Sequence, residues 1–171
     1  ISRSEPAGEV ALPNGVVARR DPAKGLLVLE KSGQGRGGGT SASPFELSVE
    51  PPATVAVDVI GAELRFSWAD RGGMDFSVEG RVYMDNERIT YPLVVRSRRA
   101  GDRFQPFGMS GHKKLKDFLI DIKLPRRRRD EMPLVADRES VLWVPPWRLS
   151  ERVRITGATR RILMVEMKAQ K

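Results

Sequence analysis

Residues 93–137, LVVRSRRAGDRFQPFGMSGHKKLKDFLIDIKLPRRRRDEMPLVAD, place a helical pattern between two apolar segments. Leu93 to Arg98 opens with branched apolar residues, which predicts a strand that runs directly into basic sequence. Lys113 to Lys123 carries apolar residues at spacings of four and three, which predicts a helix that Pro125 must end. Leu134 to Asp137 is again apolar and predicts another strand. The stretch therefore indicates a short helix packed among strands.

Short apolar segments separated by turn residues continue this pattern on both sides of the stretch. Glu63 to Asp70 alternates Leu64, Phe66 and Trp68 with polar residues, which is the period of a half-buried strand. Arg126 to Met132 predicts one further helical turn. The other predicted strands are Val16 to Arg20, Leu26 to Lys31, Phe45 to Glu50, Thr54 to Ile60, Arg81 to Asp85, Val141 to Val144, Arg152 to Ile155 and Ile162 to Met167. One or two short helices among so many strands indicate an α+β fold that is mainly β.

The composition bounds the kind of protein and the chemistry available to it. With 171 residues, the chain can form one compact domain or two small ones. The absence of cysteine excludes disulfides, thiolate metal sites and a cysteine nucleophile, and a single histidine leaves no histidine pair for zinc. No apolar run approaches the ~18 residues of a membrane span, and no signal-peptide pattern opens the sequence. We expect a cytoplasmic protein without membrane contact, and the first residue, Ile1, is compatible with a piece of a longer protein.

A glycine-rich segment, GQGRGGGTSAS at residues 33–43, follows one of the predicted strands. It formally matches the dinucleotide-binding pattern G-x-G-x-x-G. That fingerprint needs a helix N-terminus directly after the glycines, so that backbone amides can bind a pyrophosphate. Here another predicted strand follows, so the segment is interpreted as a linker or a loop that ends at residue 44.

Positive charge is concentrated in residues 96–129, which we call the basic block. The basic block holds twelve Lys or Arg and three acids, a local charge of +9, whereas the whole chain is +8. The remaining 137 residues therefore sum to −1. Concentrated positive potential most often serves a phosphate backbone, so nucleic acid is the expected partner.

Several side chains in the basic block are candidates for contact with nucleic acid. Cations at a helix N-terminus oppose the helix dipole, so a ligand explains Lys113, Lys114 and Lys116 better than stability does. The candidate contacts are Arg96, Ser97, Arg98, Arg99, Arg103, Lys113, Lys114, Lys116, Arg126 and Arg129. No metal ligands and no catalytic residues are predicted in this chain.

Five other residues of the basic block admit two interpretations each. Phe104 and Phe107 either stack on an exposed nucleotide or pack beneath the loop, and packing is favoured. His112 either contacts phosphate or fixes the turn before the helix. Asp117 and Asp121 lie four residues apart, which suits catalysis, but lysines at helical spacing favour surface ion pairs.

The same stretch resembles the C-terminal domain of bacterial tRNA(Ile)-lysidine synthetases. Members of that family carry the pattern V-R-S-R-R-x-G-D-R-F-x-P-x-G, then G-x-K-K-L-K-D-F, then P-R-x-x-R-D-x-x-P-L-V. The matching positions are Val95–Arg99, Gly101–Phe104, Pro106, Gly108, Gly111, Lys113–Phe118, Pro125, Arg126, Arg129, Asp130 and Pro133–Val135. The departures are Ala100, where the family often has proline, and Pro145-Pro146-Trp147, which replaces a glycine-containing segment before Arg148.

The resemblance implies a β-sandwich-like module similar to one in phenylalanyl-tRNA synthetase. It implies a β-rich connecting segment at residues 1–32, a Gly/Ser-rich linker or loop at 33–44, and a tRNA-binding C-terminal domain at 45–171, with the densest signature at 93–137. The family's C-terminal domain helps to engage the acceptor stem of the tRNA.

The resemblance also implies an activity for the parent protein. Enzymes of this family are ATP-dependent ligases that attach lysine to C2 of cytidine 34 in a tRNA(Ile) with a CAU anticodon. Their ATP and Mg are used by an N-terminal catalytic domain with an SGGxDS phosphate loop, which this sequence lacks. We therefore expect the chain to bind no cofactor and to be inactive alone. Its expected partners are tRNA(Ile), that catalytic domain and, in a homodimer, a second copy.

Two other functions remain open from the residues themselves. The basic block could dock another protein or a domain of the parent enzyme, with RNA contact incidental. Alternatively, Asp117, Asp121 and His112 could serve a free-standing enzyme, which would require activity in the isolated chain.

Overall fold

The computed structural model describes residues 9–12, 16–21, 26–31 and 44–169, which form strands and two short α-helices. The helices are α1 (Leu115–Asp121) and α2 (Arg126–Glu131). The strands are β1 (Glu9–Leu12), β2 (Val16–Asp21), β3 (Leu26–Lys31), β4 (Glu46–Val49), β5 (Ala53–Val57), β6 (Ala62–Ala69), β7 (Arg81–Asp85), β8 (Leu93–Arg96), β9 (Arg103–Phe104), β10 (Lys113–Lys114), β11 (Leu134–Ala136), β12 (Val141–Val144), β13 (Arg148–Leu149) and β14 (Ile162–Ala169).

The strands form two large sheets and one small hairpin. The first sheet has the order β1-β2-β3-β5-β6-β14-β7, and the second has the order β13-β12-β11-β8-β4. β14 lies between β6 and β7 and is antiparallel to both. β3 is parallel to β5 through Leu26 and Leu27, which attaches the first three strands to the edge of the sheet. Among the described strands, β9 and β10 pair with each other and with no third strand.

The main hydrophobic core lies between the two large sheets. Alternation in β6 buries Leu64 and Phe66 on one face, as the period of a strand requires. The second sheet contributes Leu93, Val95 and Trp143, which are fully buried in the same cluster. Burial of apolar side chains from two facing sheets is the arrangement of a β-sandwich.

A second core lies on the opposite face of the second sheet. Val141 and Val144 of β12 pack in one cluster with Leu115 and Leu119 of α1, together with Phe104 of β9. The register of β12 shifts opposite Val135/Ala136. Because of this irregularity, side chains of β12 pack in both cores. The hairpin β9–β10 and the two helices thus form a third layer, which we call the outer layer.

The structure confirms the fold class: an α+β, mainly β protein with a sandwich and two short helices. The strands at Leu26–Lys31, Arg81–Asp85 and Val141–Val144 have the predicted bounds. The boundaries of the domains remain a prediction, and the linker at residues 33–43 lies outside the described residues. Within the described ranges, no helix is long and apolar enough to cross a membrane.

Three predicted elements are wrong in detail. The strand expected at Thr54 to Ile60 ends at Val57, and a 3₁₀ turn follows at Asp58–Ile60. The strand expected at Arg152 to Ile155 is replaced by a 3₁₀ turn at Glu151–Val153, because the Ser150 hydroxyl accepts a hydrogen bond from the Arg152 amide. The helix expected from Lys113 begins at Leu115, since Lys113 and Lys114 pair with Phe104 and Arg103 as β10.

Candidate nucleic-acid interface

Arg96 lies inside the protein and shapes the turn that follows β8. Its guanidinium donates to both carboxylate oxygens of Asp102, at 2.9 and 2.7 Å, and also to the Ser97 carbonyl oxygen. The same carboxylate accepts the backbone N–H of Arg99 at 2.7 Å, and Gly101 takes a positive φ of 88° in the turn. The Asp102 carbonyl in turn accepts the N–H of Leu115, the first residue of α1. Arg96 therefore connects the second sheet to the outer layer.

Ser97 is also buried, and its hydroxyl is already bonded. It accepts the backbone N–H of Phe45 at 2.8 Å and donates to the Phe45 carbonyl at 3.2 Å. Arg96 and Ser97 are each only 6% exposed. Their polar groups are bonded inside the protein, although part of Arg96 reaches the wall of a surface cleft.

Four other candidate cations are exposed or half-buried and have partners within the chain. Arg98 donates from Nε to Asp130 at 2.7 Å, where Asp130 belongs to α2. Arg99 pairs with Glu46 of β4, and Lys113 pairs with Asp121 of α1. The Arg129 guanidinium donates to the carbonyl of Leu124 at 2.7 Å. A ligand would have to share or replace these contacts to bind these four side chains.

The remaining candidates are exposed cations without such partners. Arg103 and Lys114 are directly opposite each other in the β9–β10 register, so two positive side chains lie on one face of a two-residue pairing. Lys116 lies in the first turn of α1 and Arg126 is the first residue of α2. Within the described part of the chain, none of the four forms an ion pair. Like charges in direct opposition destabilise a strand pair, so this arrangement favours an anionic ligand.

Lys123 and Arg128 are two further exposed cations of the basic block that were not among the candidate contacts. Lys123 follows α1 with a positive φ of 55°, and Arg128 lies in α2. Neither forms an ion pair with the described residues. The fold determines which cations are exposed, and no pattern in the sequence distinguishes Lys123 and Arg128 from their paired neighbours.

The two phenylalanines of the basic block have different environments. Phe104 is fully buried and meets Phe118 edge-to-face, with ring centroids 5.2 Å apart, so the packing interpretation is confirmed for it. Phe107 is 44% exposed, and for this residue the packing interpretation is wrong. The backbone of this loop is held by hydrogen bonds from the Phe107 N–H to Leu149 and from the Met109 N–H to Pro106.

The residues considered for acid-base or metal chemistry do not form a site. Asp121 forms a surface ion pair with Lys113, which lies in β10 and not at helical spacing as expected. His112 and Asp117 are exposed. No three acidic or histidine side chains in the described ranges cluster as metal ligands would.

Two clefts adjoin the basic block. One, of about 570 Å³, has four cations and four acids in its wall, which are Arg96, Arg99, Arg103, Arg138, Glu46, Asp102, Asp137 and Glu139. The other, of about 550 Å³, lies between α2 and the end of β14 and is largely apolar, with Trp147 and Arg128 in its wall. The first cleft is lined by as many acids as cations, and the second has Glu131 beside Arg128 and Lys168, so the exposed cations of the outer layer, and not the clefts, form the positive surface.

Perturbed ionisation is found at Glu166, in the first sheet and outside the basic block. Burial raises the pKa of this carboxyl, but hydrogen bonds from Lys168 and Arg81 outweigh burial, and the pKa lies below its usual value. Arg81 donates to Glu166 Oε1 at 2.6 Å. The Glu166 carboxylate thus links β14 to the neighbouring strand β7 through Arg81.

Comparison with known proteins agrees with this architecture. Residues 93–165 match the family model described as the TilS substrate C-terminal domain. A crystal structure of a TilS C-terminal domain superposes with a TM-score of 0.67 at 27% identity, and the match covers 75% of this chain and 99% of that one.

Curated relatives extend the similarity along the chain. The tRNA(Ile)-lysidine synthase of Symbiobacterium thermophilum is 33% identical over 167 residues, which is 97% of this chain and 34% of that protein. The tRNA(Ile)-lysidine synthase of Caldanaerobacter subterraneus subsp. tengcongensis is 45% identical over 84 residues, which is 49% of this chain and 18% of that protein. The chain thus spans about a third or less of the length of these relatives. Residues 93–165 belong to the TilS substrate C-terminal domain family, and the chain carries this domain of the tRNA(Ile)-lysidine synthases.

Proposed function

We propose that this chain holds tRNA for a tRNA(Ile)-lysidine synthase. The observation that carries the proposal is the set of exposed cations in the outer layer that lack ion-pair partners among the described residues. Arg103, Lys114, Lys116 and Arg126 are its members from the predicted contacts, and Lys123 and Arg128 add to them. An A-form stem is bound mainly through phosphates, 2′-hydroxyls and shape, which side chains on a rigid layer can reach.

The predicted contacts then take different roles in this proposal. The exposed and unpaired cations bind phosphate directly. Arg98, Arg99, Lys113 and Arg129 bind only if RNA shares their present partners. Arg96 and Ser97 hold β8 and the following turn in place, because their polar groups are bonded inside the protein.

The parent enzyme supplies the chemistry in this proposal. It uses ATP and Mg in an N-terminal catalytic domain to attach lysine to C2 of cytidine 34 of tRNA(Ile) with a CAU anticodon, in the cytoplasm. The present chain contributes affinity and orientation, is inactive alone, and works beside that catalytic domain in a monomer or a homodimer. The family membership of residues 93–165 supports this assignment.

Filter binding to a tRNA(Ile) transcript over a series of salt concentrations tests the proposal. Replacing Arg103 and Lys114 together by glutamine should weaken binding and also make it less dependent on salt. The magnitude of the negative slope of log affinity against log salt should fall by about two, because two phosphates would no longer be neutralised. A tRNA(Met) transcript, measured in parallel, shows how much of the affinity is specific.

The matched control removes two exposed cations outside the basic block. Arg65 and Arg160 are exposed and form no ion pair with the described residues, so replacing both by glutamine changes the net charge equally. This control should leave the slope within experimental error of the unmodified chain. An equal weakening in both double variants would contradict the assignment, and cross-linking confined to protein surfaces would favour domain docking.

A further inference from the structure

The loop between β9 and β10 presents two apolar side chains to solvent. It runs from Gln105 to His112, and Phe107 and Met109 in it are 44% and 48% exposed. A large apolar side chain at the surface forgoes the stabilisation that its burial would give. Exposed apolar groups beside charged ones often mark a binding surface.

This exposure is not caused by a loosely held loop, because the backbone is bonded at several points. The Phe107 N–H donates to the Leu149 carbonyl at 2.9 Å, and the Gly108 N–H donates to the Glu151 carboxylate at 2.9 Å. The Met109 N–H reaches the Pro106 carbonyl at 3.0 Å, and Gly108 has a positive φ of 82°, which glycine adopts readily. The fold therefore holds the backbone by hydrogen bonds while Phe107 stays 44% exposed.

The two strands that flank this loop carry exposed cations. Arg103 lies in the strand before the loop, and Lys114 lies opposite it after the loop. An aromatic ring is thus held in the loop of a hairpin whose base is positively charged. Cations together with an aromatic ring suit a ligand that offers both phosphate and an accessible base.

We propose that Phe107 stacks on an unpaired RNA base where a single strand leaves a duplex, while Arg103 and Lys114 bind the adjoining phosphates. This inference rests on the proposed RNA-binding function. Bases inside an A-form helix are covered by their neighbours, so a protein ring can stack only on a base that is unpaired or terminal. An aromatic ring can stack on any of the four bases, so Phe107 adds affinity for this junction without a preference for its sequence.

Binding of the 171-residue chain to two short RNA hairpins tests the inference. One hairpin has a blunt end, and the other has the same duplex with a 3′ overhang of about four nucleotides, the shorter end of the site sizes of single-strand binders. The unmodified chain should bind the overhang about tenfold more tightly, a typical gain for one stacked base. Phe107→Ala should abolish this preference, because it weakens binding of the overhang hairpin much more than binding of the blunt hairpin, and should leave the salt dependence of both unchanged.

A 2-aminopurine at the first overhang position reports stacking directly, because its fluorescence is quenched by a stacked ring. Quenching should be strong with the unmodified chain, weak with Phe107→Ala and restored with Phe107→Tyr. Phe76→Ala is the matched control, since Phe76 is an exposed phenylalanine outside the basic block.

The outcomes separate the two proposals. If the chain binds the blunt hairpin in a salt-dependent way but shows no preference for the overhang, the stacking inference is wrong and the RNA-binding function stands. The same holds if Phe107→Ala weakens both hairpins equally. If neither hairpin nor tRNA is bound, the proposed function fails and the stacking inference fails with it.

Discussion

At the scale of single residues, the pair of Arg96 and Asp102 shows that a cation of the basic block can stabilise the fold. Their side chains are 7% and 10% exposed and share two hydrogen bonds. Asp102→Ala would leave a buried guanidinium without its counter-charge, which typically costs about 3–5 kcal/mol. We expect the free energy of unfolding, measured in urea, to fall by about 3 kcal/mol or more.

Asp102→Asn is the control for this change. The amide keeps an oxygen that can accept the Arg99 N–H but removes the negative charge. It should therefore cost less than alanine, and an alanine variant as stable as the unmodified chain would show that Arg96 is not held by this pair.

At the scale of elements, α1 has an unfavourable cation, Lys116, in its first turn, beside Asp117, whose charge complements the helix dipole. No side chain caps its N-terminus, Lys114 occupies the cap position, and Lys116 lies in the first turn. Lys116→Glu should raise the free energy of unfolding by about 0.5 kcal/mol, because an acid complements the helix dipole at this end. The same variant should bind tRNA more weakly, since the exposed cation is replaced by an anion.

Lys116→Gln separates the two effects. It should give a smaller gain in stability, seen as a smaller rise in the urea midpoint, and a smaller drop in affinity. A Lys116→Glu variant that gained no stability, or that bound tRNA as before, would show that Lys116 is kept for some other reason.

At the scale of the whole molecule, stability should depend on pH through Glu166 in β14. Because the folded-state pKa is lower than the unfolded value, the folded protein binds fewer protons in acid. The stabilisation is complete above the unfolded pKa of about 4.3 and is lost as pH falls through the lower folded value. The free energy of unfolding of Glu166→Gln should therefore change less between about pH 5 and about pH 3 than that of the unmodified chain.

Solvent-exposed Glu79→Gln is the control for this measurement. It removes a carboxyl from the chain without removing the contacts of β14 to Arg81 and Lys168. If both variants and the unmodified chain lost stability in parallel on acidification, Glu166 would have no part in the acid response.

Local secondary structure can be predicted from this sequence better than ion pairs between residues that are far apart in the chain. The strand at Arg81–Asp85 and the helix around Leu115 follow from apolar spacing, which is visible in neighbouring residues. The partner of Arg98 lies 32 residues away and that of Arg99 lies 53 residues away, so only the folded topology shows that these cations are paired. The basic block is thus recognisable from its charge, while the division into buried, paired and exposed cations is not.

The position of β14 has a consequence for biosynthesis. β6 and β7 do not pair with each other; each pairs with β14, which ends at Ala169. A nascent chain on the ribosome therefore cannot close the first sheet until residues 162–169 have left the exit tunnel. Until then the edges of β6 and β7 that will pair with β14 are open to association with other chains. Chaperones would have to shield these edges during translation.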